Sequence, residues 1–456
     1  MNIIKLNAAS IRAGILVLIS FFLMTCSNTP VTTWHEFHGN NGNTGFTNFP
    51  SRIIKYLKWQ FTVGDVKYSS PVVDDEGTVY VGNMDGDLFA IKPDGTQKWK
   101  EHLGARLSSP ALGASGNIYI TNIQGIESTN PSSSLFSLDR DGHPLPNGVF
   151  AFPDHGFTTA PPKTWSNGTD EFIFVPVKTD KGEELFTFTN DHGAKFMTRN
   201  APNCIPDEII NKGIENPFEF NVSGINIRGE NDMPPVAITT AGDGGDKNPI
   251  IVYAPKNCHL MGYRLHPDQK KMEEIWYAPG TYSFFPPPAT PAITSGGLIQ
   301  VGHGKTISAY NLMTGKITWE YVDNNPLNQD FYGFYDAPAI LAGTSPSYNT
   351  FNNRIIIIDD KGNKQGSSFG LASRTEIGTS PLVTTKYVYA AFPSGLYTLD
   401  LKLNQVGHID FIPGPKTSVH SSPAIGPDGT IYMVDPNGIL EAFGGTAMRK
   451  AIEENK

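Results

Sequence analysis

Charge and recognisable catalytic motifs are both scarce in this sequence. Charged residues make up only 17% of the 456 residues, and the net charge is −9. Without an excess of basic residues there is no electrostatic reason to expect nucleic acid as a partner. No P-loop, dinucleotide-binding fingerprint or H-E-x-x-H pair occurs, so the common nucleotide and zinc signatures are missing. The sequence therefore offers no local catalytic motif from which a function could be argued.

Glycine and proline, in contrast, are abundant. The chain contains 46 Gly and 35 Pro, together 81 of 456 residues or about 18%, against a usual share of about 12%. Both residues cost free energy inside helices and suit tight turns, which argues against a helical bundle. Apolar residues at 39% are sufficient for a core, so a disordered chain is not expected. The composition predicts a large, turn-rich, all-β protein.

The first 25 residues have the pattern of an export signal. Lys5 and Arg12 precede an apolar stretch of 12 residues, Ala13–Met24, whereas a membrane-spanning helix needs about 20. A basic segment followed by a short apolar stretch is typical of a signal peptide. The following Leu23-Met24-Thr25-Cys26 resembles a bacterial lipobox, although Thr25 departs from the usual small residue. We expect a signal peptide over 1–25 and lipid attachment at Cys26, with an ordinary secretory signal as the alternative.

If Cys26 is the mature N-terminus, acyl chains there would hold the protein on a membrane surface. By resemblance to known sorting rules, Ser27 after the cysteine favours the outer membrane of a Gram-negative cell, with either the periplasmic or the outer surface as the location. Two cysteines remain, Cys204 and Cys258, which are 54 residues apart. A pair in an oxidising compartment can form one disulfide, and two separate thiols are an equal alternative.

One short phrase recurs through the rest of the chain: a small polar residue, proline, then two or three apolar residues. It occurs eight times, with the repeated prolines at Pro71, Pro110, Pro161, Pro235, Pro291, Pro338, Pro381 and Pro423. Most of the intervals are 39 to 56 residues, and the interval from Pro161 to Pro235 is 74. Because propeller blades are about 40 to 50 residues long, each copy predicts one blade, with an insertion at 200–231 in the third unit.

Each copy is followed by short β-branched and aromatic runs separated by Gly, Asp and Asn turns, such as Thr78–Val81 and Leu88–Ile91. This is the pattern of β-hairpins. The last unit ends at Phe443 without a Trp-bearing strand, and an unused one, Leu57–Phe61, stands near the N-terminus. Pairing the two would close the ring and hide both edges. We predict an all-β, eight-bladed propeller of four-stranded antiparallel blades over 57–446, after a tether and lead-in over 26–56 and before a tail at 447–456.

Three segments carry a resemblance to a known family. Ala309–Trp319 (AYNLMTGKITW) closely resembles the tryptophan-docking motif of the PQQ-type, or quinoprotein alcohol dehydrogenase-like, β-propellers. Val81–Ile91 is similar to the strand–turn–strand phrase of the same repeats, and Trp34–Asn40 with Thr44-Gly45 resembles the lead-in to their first blade. The resemblance covers about residues 34–446. It implies the propeller fold and leaves the chemistry open, because one fold carries many functions.

The family contains quinone-dependent dehydrogenases and a BamB-like branch of non-catalytic lipoproteins. The dehydrogenases usually carry an adjacent Cys-Cys pair over the cofactor and a calcium ion, and this sequence has no Cys-Cys pair. The resemblance therefore transfers no catalytic residue, and no cofactor is expected unless the dehydrogenase alternative holds, in which case PQQ and calcium would bind. Asp243 and Asp246, on a Gly-rich turn, are weak candidates for metal binding, since hard oxygen ligands on turns suit calcium and acidic turns are also common linkers.

Aromatic and histidine residues supply the remaining candidates. Trp59, Trp99, Trp276 and Trp319 stand where blade-packing tryptophans would, so we assign them to the core. Of the two remaining tryptophans, Trp34 and Trp165, the second lies next to a polar turn and is the better candidate for an exposed ligand contact. His303 is a candidate for a residue that faces the central funnel.

These expectations lead to one main hypothesis. The protein is an exported, lipid-anchored, non-enzymatic propeller that binds a protein partner in the bacterial cell envelope. One alternative is a PQQ-dependent dehydrogenase of sugars or alcohols with its site in the funnel. The other is a polysaccharide-binding surface protein.

Overall fold

The computed structural model describes residues 33–124, 132–190, 194–200 (backbone only), 233–239, 248–255, 259–278, 290–324, 337–351, 353–371, 378–411 and 419–445. The described residues from Thr33 onward belong to one compact unit. Five residues singled out by the sequence lie outside this part of the chain: Cys26, Cys204, Cys258, Asp243 and Asp246. The described residues include no helix long and apolar enough to span a bilayer.

Eight antiparallel sheets follow one another along the chain, as the repeat predicts. Two strands precede them, β1 (Phe46–Thr47) and β2 (Tyr56–Thr62). Blade 1 contains β3 (Val72–Val73), β4 (Val79–Gly82), β5 (Asp87–Ile91) and β6 (Gln97–His102). Blade 2 contains β7 (Arg106–Leu107), β8 (Ala111–Leu112), β9 (Ile118–Gln124), β10 (Ser132–Leu138) and β11 (Pro144–Ala151).

Blades 3 to 5 follow the same order. Blade 3 contains β12 (Lys163–Ser166), β13 (Glu171–Thr179), β14 (Gly182–Asn190) and β15 (Ala194–Asn200). Blade 4 contains β16 (Ala237–Thr239), β17 (Ile250–Tyr253), β18 (Leu260–His266) and β19 (Lys271–Ala278), with a 3-10 turn at Pro267–Gln269. Blade 5 contains β20 (Ala292–Ile293), β21 (Leu298–His303), β22 (Thr306–Asn311) and β23 (Ile317–Val322).

Blades 6 to 8 complete the ring. Blade 6 contains β24 (Ala339–Ile340), β25 (Ser347–Phe351), β26 (Arg354–Ile358) and β27 (Lys364–Ser367), with a 3-10 turn at Leu341–Gly343. Blade 7 contains β28 (Leu382–Thr384), β29 (Tyr387–Phe392), β30 (Gly395–Asp400) and β31 (Gln405–Asp410). Blade 8 contains β32 (Ala424–Ile425), β33 (Ile431–Val434) and β34 (Ile439–Gly444).

The N-terminal strand closes the ring, and this confirms the prediction. Strand β2 pairs antiparallel with β34, with Trp59 opposite Ala442, and supplies the fourth strand of blade 8. Two sheets also gain a strand that the repeat did not predict. Strand β1 pairs in parallel with β28 of blade 7, and β7 pairs with β9 beside β8 in blade 2.

Strand direction defines two faces of the propeller. In each blade the first strand (β8 in blade 2) is innermost, and contacts join β3 to β32, β8 to β12, β16 to β20 and β24 to β28 of neighbouring blades. Because the strands alternate in direction, the turns after the first and third strands lie on one face, which we call face 1. The turns after the second strand lie on the opposite face, which we call face 2. The connections between blades also begin and end on face 2.

The core lies between the blades, where tryptophans pack on turn glycines. Trp59 of blade 8 lies against Gly95 of blade 1, and its indole N–H donates to Pro93 O at 2.8 Å. Trp99 with Gly142 and Trp276 with Gly315 repeat both the packing and the indole hydrogen bond, to Arg140 O and Leu312 O, and Trp319 repeats the packing against Gly362. Each tryptophan therefore joins one blade to the next. These are the four residues that the sequence assigns to the blade core.

Candidate functional site

The centre of the ring holds the lead-in segment, residues 34–47. Its backbone carbonyls accept hydrogen bonds from the second residue of successive innermost strands. The donors and acceptors are Val73 N to Trp34 O, Leu112 N to His35 O, Ile238 N to Asn41 O, Ile293 N to Gly42 O, Ile340 N to Thr44 O and Val383 N to Gly45 O, at 2.7 to 2.8 Å. In blade 3 the Thr164 N–H donates instead to the Glu36 carboxylate at 3.2 Å. The lead-in segment thus contacts blades 1 to 7 in order.

The lead-in segment enters and leaves the ring on face 1. Trp34 forms an antiparallel bridge with Val73 at the face 1 end of β3. Since β3 runs toward face 1, the chain at Trp34 runs away from it, and Thr33 lies on the face 1 side. Strand β1 runs parallel to β28, which carries the chain back to face 1. The segment therefore occupies the axis at its face 1 end.

An ion pair fixes the segment to blade 3. Lys163 Nζ lies 3.1 Å from Glu36 Oε1, and neither side chain is exposed. The ammonium also donates to Phe37 O and Asn40 O, each at 3.0 Å. Burial lowers the pKa of Lys163, and the Glu36 carboxylate opposes this shift. These contacts compensate the lysine for its lost hydration.

Two further side chains fasten the segment to distant blades. The Asn43 amide donates to Val236 O and Pro291 O, both at 3.0 Å. His38 is 3% exposed, with Nδ1 2.7 Å from Asn43 O and Nε2 3.0 Å from Pro381 O. Two carbonyl acceptors favour the protonated ring, but burial outweighs them and lowers the pKa of His38 to about 4. At neutral pH the axis therefore carries the buried Glu36–Lys163 ion pair and a neutral imidazole, whose single N–H can donate to one of the two carbonyls.

Serines surround the axis nearer face 2. The Ser70 N–H donates to Ser109 Oγ at 2.7 Å, and the Ser422 N–H donates to Ser70 Oγ at 2.9 Å. Blade 6 repeats the contact through Ala337 N and Ser380 Oγ at 3.1 Å. In each case the hydroxyl before the repeated proline accepts the amide of the preceding blade. In these three copies the serine of the recurring phrase is thus an inter-blade contact, a role that sequence reasoning missed.

Trp165 is buried rather than exposed, which corrects the expectation of a surface contact. It is 9% exposed in strand β12, and its ring centroid lies 5.9 Å from that of Phe172. It belongs to the apolar cluster between blades 3 and 4, which also contains Val236 and Tyr253. The adjacent polar turn suggested exposure, but blade 4 packs against this side of β12 and buries the indole. The polysaccharide-binding alternative loses the residue on which it rested.

His303 is likewise buried, at the end of the second strand of blade 5. Its Nε2 lies 2.8 Å from Ser308 Oγ, and that hydroxyl donates to Glu320 Oε1 at 2.8 Å. Burial lowers its pKa. The contacts run outward across the blade toward the fourth strand, so the structure does not support the expectation that His303 faces the funnel.

No three His, Cys, Asp or Glu side chains within the described ranges come together in a way that could hold a metal ion. The acidic turn Asp85-Gly86-Asp87 illustrates the reason. The Asp87 carboxylate lies 3.0 Å from Lys100 Nζ and 2.9 Å from His102 Nδ1. Neighbouring cationic or polar groups on the outer strand thus occupy its oxygens.

One pattern that sequence reasoning missed is a G-x-S-x-G phrase, Gly366–Gly370. In α/β-hydrolases such a phrase forms a nucleophile elbow between a strand and a helix. Here it continues from β27, an outer strand of blade 6, and Ser368 is 7% exposed. Its Oγ accepts the Ile355 N–H at 3.0 Å. The serine satisfies the backbone of its own blade, so the phrase is structural.

The comparisons with known proteins show the fold. No protein-family model matches the chain, and no curated protein matches it. Among solved structures, the chain is similar to BamB from Moraxella catarrhalis, with a TM-score of 0.56 and 10% identity over 84% of this chain and 99% of that one. It is similar to the same degree to Sqt1 from Saccharomyces cerevisiae, with a TM-score of 0.56 and 10% identity over 86% of this chain and 100% of that one. The chain therefore has a β-propeller fold.

Proposed function

We propose that this protein is an exported, lipid-anchored propeller of the PQQ-like repeat type, acting as a non-enzymatic binding or scaffold module of the bacterial cell envelope. The proposal combines the signal-like N-terminus and Cys26 with the propeller fold. It takes a protein of the envelope as the partner. The fold shared with BamB supports the comparison with binding propellers but does not identify that partner.

The occupied axis is the observation that carries the proposal. A small-molecule site needs a concave space with a few unengaged polar groups. At the face 1 end of this ring, the lead-in segment takes that space, and the charges of Glu36 and Lys163 neutralise each other. What the propeller offers a partner is therefore its faces and rim, where turns on a rigid ring suit recognition of another protein.

Site-specific photocrosslinking in the native envelope tests the binding role. A benzoylphenylalanine placed at Lys181, an exposed face 2 turn of blade 3, should yield a discrete crosslinked product. Thr169, an exposed face 1 turn of the same blade, is the matched position on the other face. A scan of exposed turns on both faces that yields no specific product would contradict a scaffold role.

The dehydrogenase alternative has a separate test. Purified protein is mixed with PQQ and calcium, and dye reduction is followed with sugars and alcohols. We expect no turnover. Clear substrate-dependent dye reduction would replace the proposed function with the enzymatic one.

The anchor is tested by labelling cells with a palmitate analogue. The wild type should be labelled and Cys26→Ala should not, whereas Cys204→Ala should behave as wild type because it leaves the acylation site intact. An unlabelled wild type would remove lipid attachment from the proposal.

A further inference from the structure

We propose that face 1 is the membrane-proximal face of the propeller and that face 2 is turned away from the lipid surface. The inference rests on the anchor at Cys26 in the proposed function. It assigns the two faces different surroundings, a bilayer on one side and the envelope partner on the other. The lead-in segment carries the argument, because it determines where the chain emerges from the ring.

The direction of the chain at Trp34 is the first step. Trp34 is 2% exposed and bridges Val73 of the innermost strand of blade 1 in antiparallel sense. Strand β3 runs toward face 1, so Thr33 precedes Trp34 on the face 1 side. The continuing lead-in fills the axis there. The described chain therefore begins on face 1, close to the axis.

The reach of the tether is the second step. Eight residue steps separate Cys26 from Trp34. In any conformation eight residues span at most about 29 Å, since a fully extended chain advances about 3.6 Å per residue. The chain that joins Cys26 to Trp34 is therefore at most about 29 Å long.

That length is too short to reach face 2 around the outside. A four-stranded blade puts the outer strand about 14 Å from the innermost one, because strands are about 4.8 Å apart. The six residues of β6, the outer strand of blade 1, add about 20 Å along the side at about 3.3 Å each. The path from the innermost strand around the outer strand to face 2 is therefore about 34 Å long, and side chains along it would lengthen it further. An anchor at Cys26 can therefore hold face 1 against a membrane and cannot hold face 2 there.

Energy transfer to labelled lipid tests this orientation. Fluorophores are attached through p-azidophenylalanine at Thr169 on face 1 or at Lys181 on face 2, both exposed turns at opposite ends of β13. The pair belongs to one blade, and the nine residues of β13 separate the positions by about 30 Å. A second pair, Lys386 on face 1 and Ser394 on face 2, lies in blade 7 across the ring.

The lipidated full-length protein is reconstituted in phosphatidylcholine vesicles that carry an acceptor dye on the headgroups. We expect several-fold higher transfer from Thr169 than from Lys181, and from Lys386 than from Ser394. Equal transfer within both pairs, or higher transfer from face 2, would overturn the inference. A gradient in one pair only would mean that the rim lies on the membrane, and it would also overturn it.

A second arm separates this inference from the anchor itself. The variant Cys204→Ser/Cys258→Ser is coupled at Cys26 to a maleimide lipid, which reproduces the tether without cellular acylation. The same face 1 excess is expected there. If the protein purified from cells carries no lipid but the coupled protein shows the gradient, the proposed anchor fails and the geometry stands. If the coupled protein shows no gradient, the geometry fails whatever its native acylation.

Discussion

Lys163 Nζ lies 3.1 Å from Glu36 Oε1 on the axis of the ring, and both side chains are fully buried. The two residues are far apart in the sequence and belong to different parts of the fold, Glu36 to the lead-in segment and Lys163 to blade 3. A buried charge is tolerated only where a partner and hydrogen bonds replace water. This pair therefore connects the N-terminal segment to the ring, and we expect its loss to destabilise the whole propeller.

The first prediction concerns that pair. Lys163→Met leaves the Glu36 carboxylate buried without its partner, so we expect the free energy of unfolding in urea to fall by about 3–5 kcal/mol. Glu36→Gln/Lys163→Met removes both charges and should recover at least half of the loss. Lys402→Met, on an exposed turn, serves as the control and should change stability by less than about 0.5 kcal/mol. A double variant as unstable as the sum of its single variants would contradict a coupled pair.

The second prediction concerns the Trp–Gly contact between blades. Gly95 has φ of +88°, and a methyl group added there would lie 2.7 Å from the Trp59 ring. Gly168 has a similar φ of +93° with nothing within 4 Å. Gly168→Ala should cost about 1 kcal/mol for the left-handed backbone alone, and Gly95→Ala should cost about 1–3 kcal/mol more because the methyl group displaces the indole. Equal losses of unfolding free energy for Gly95→Ala and Gly168→Ala in urea titrations would show that Trp59 moves aside without cost.

The third prediction is a pH dependence at the closing blade. Burial, with Asp435 nearby, raises the pKa of Glu441 to about 7 from 4.5. Because the folded state holds this proton more tightly than the unfolded chain, the stabilising contribution is complete below pH 4.5 and disappears as the pH rises through 7. Glu441→Gln stays neutral, so it should be more stable than wild type at pH 8 by on the order of 2 kcal/mol, with the difference vanishing near pH 4.

Thermal unfolding across pH 4–9 measures this effect. Glu76→Gln, on an exposed turn of blade 1, is the matched control and should follow the wild-type curve. A Glu441→Gln curve parallel to that of the wild type would place the carboxyl in a wetter site than the 4% exposure of Glu441 indicates.

The fourth prediction concerns Asn43, whose amide joins two blades. The residue has φ of 54°, so Asn43→Gly preserves the backbone while removing the hydrogen bonds to Val236 O and Pro291 O. Buried carbonyls left without donors should cost about 1–3 kcal/mol in unfolding free energy. Asn147→Gly, at an exposed position with φ of 55°, is the control and should change little. A small loss at both positions would mean that water replaces the Asn43 amide.

Much of the architecture follows from local patterns. A blade is built from consecutive hairpins whose strands and turns are encoded within about 40 residues, so eight repeats of Pro and apolar residues predict eight blades. The unpaired strand at Leu57–Phe61 predicts the closure with β34 for the same reason, since an exposed edge demands a partner. The role of the serines before Pro71, Pro110 and Pro381 escaped this reasoning because each accepts a hydrogen bond from a neighbouring blade.

The site depends on contacts that sequence patterns do not record. His38 and Pro381 touch across 343 positions of the chain, and no local spacing signals that encounter. The polar neighbours of Trp165 describe only the turn, while its burial depends on the packing of blade 3 against blade 4. The repeat, the blade number and the closing strand follow from the sequence, since hairpins form from residues close in the chain. The occupation of the axis by the lead-in segment follows from the tertiary structure, because seven blades must present their inner amides to one segment.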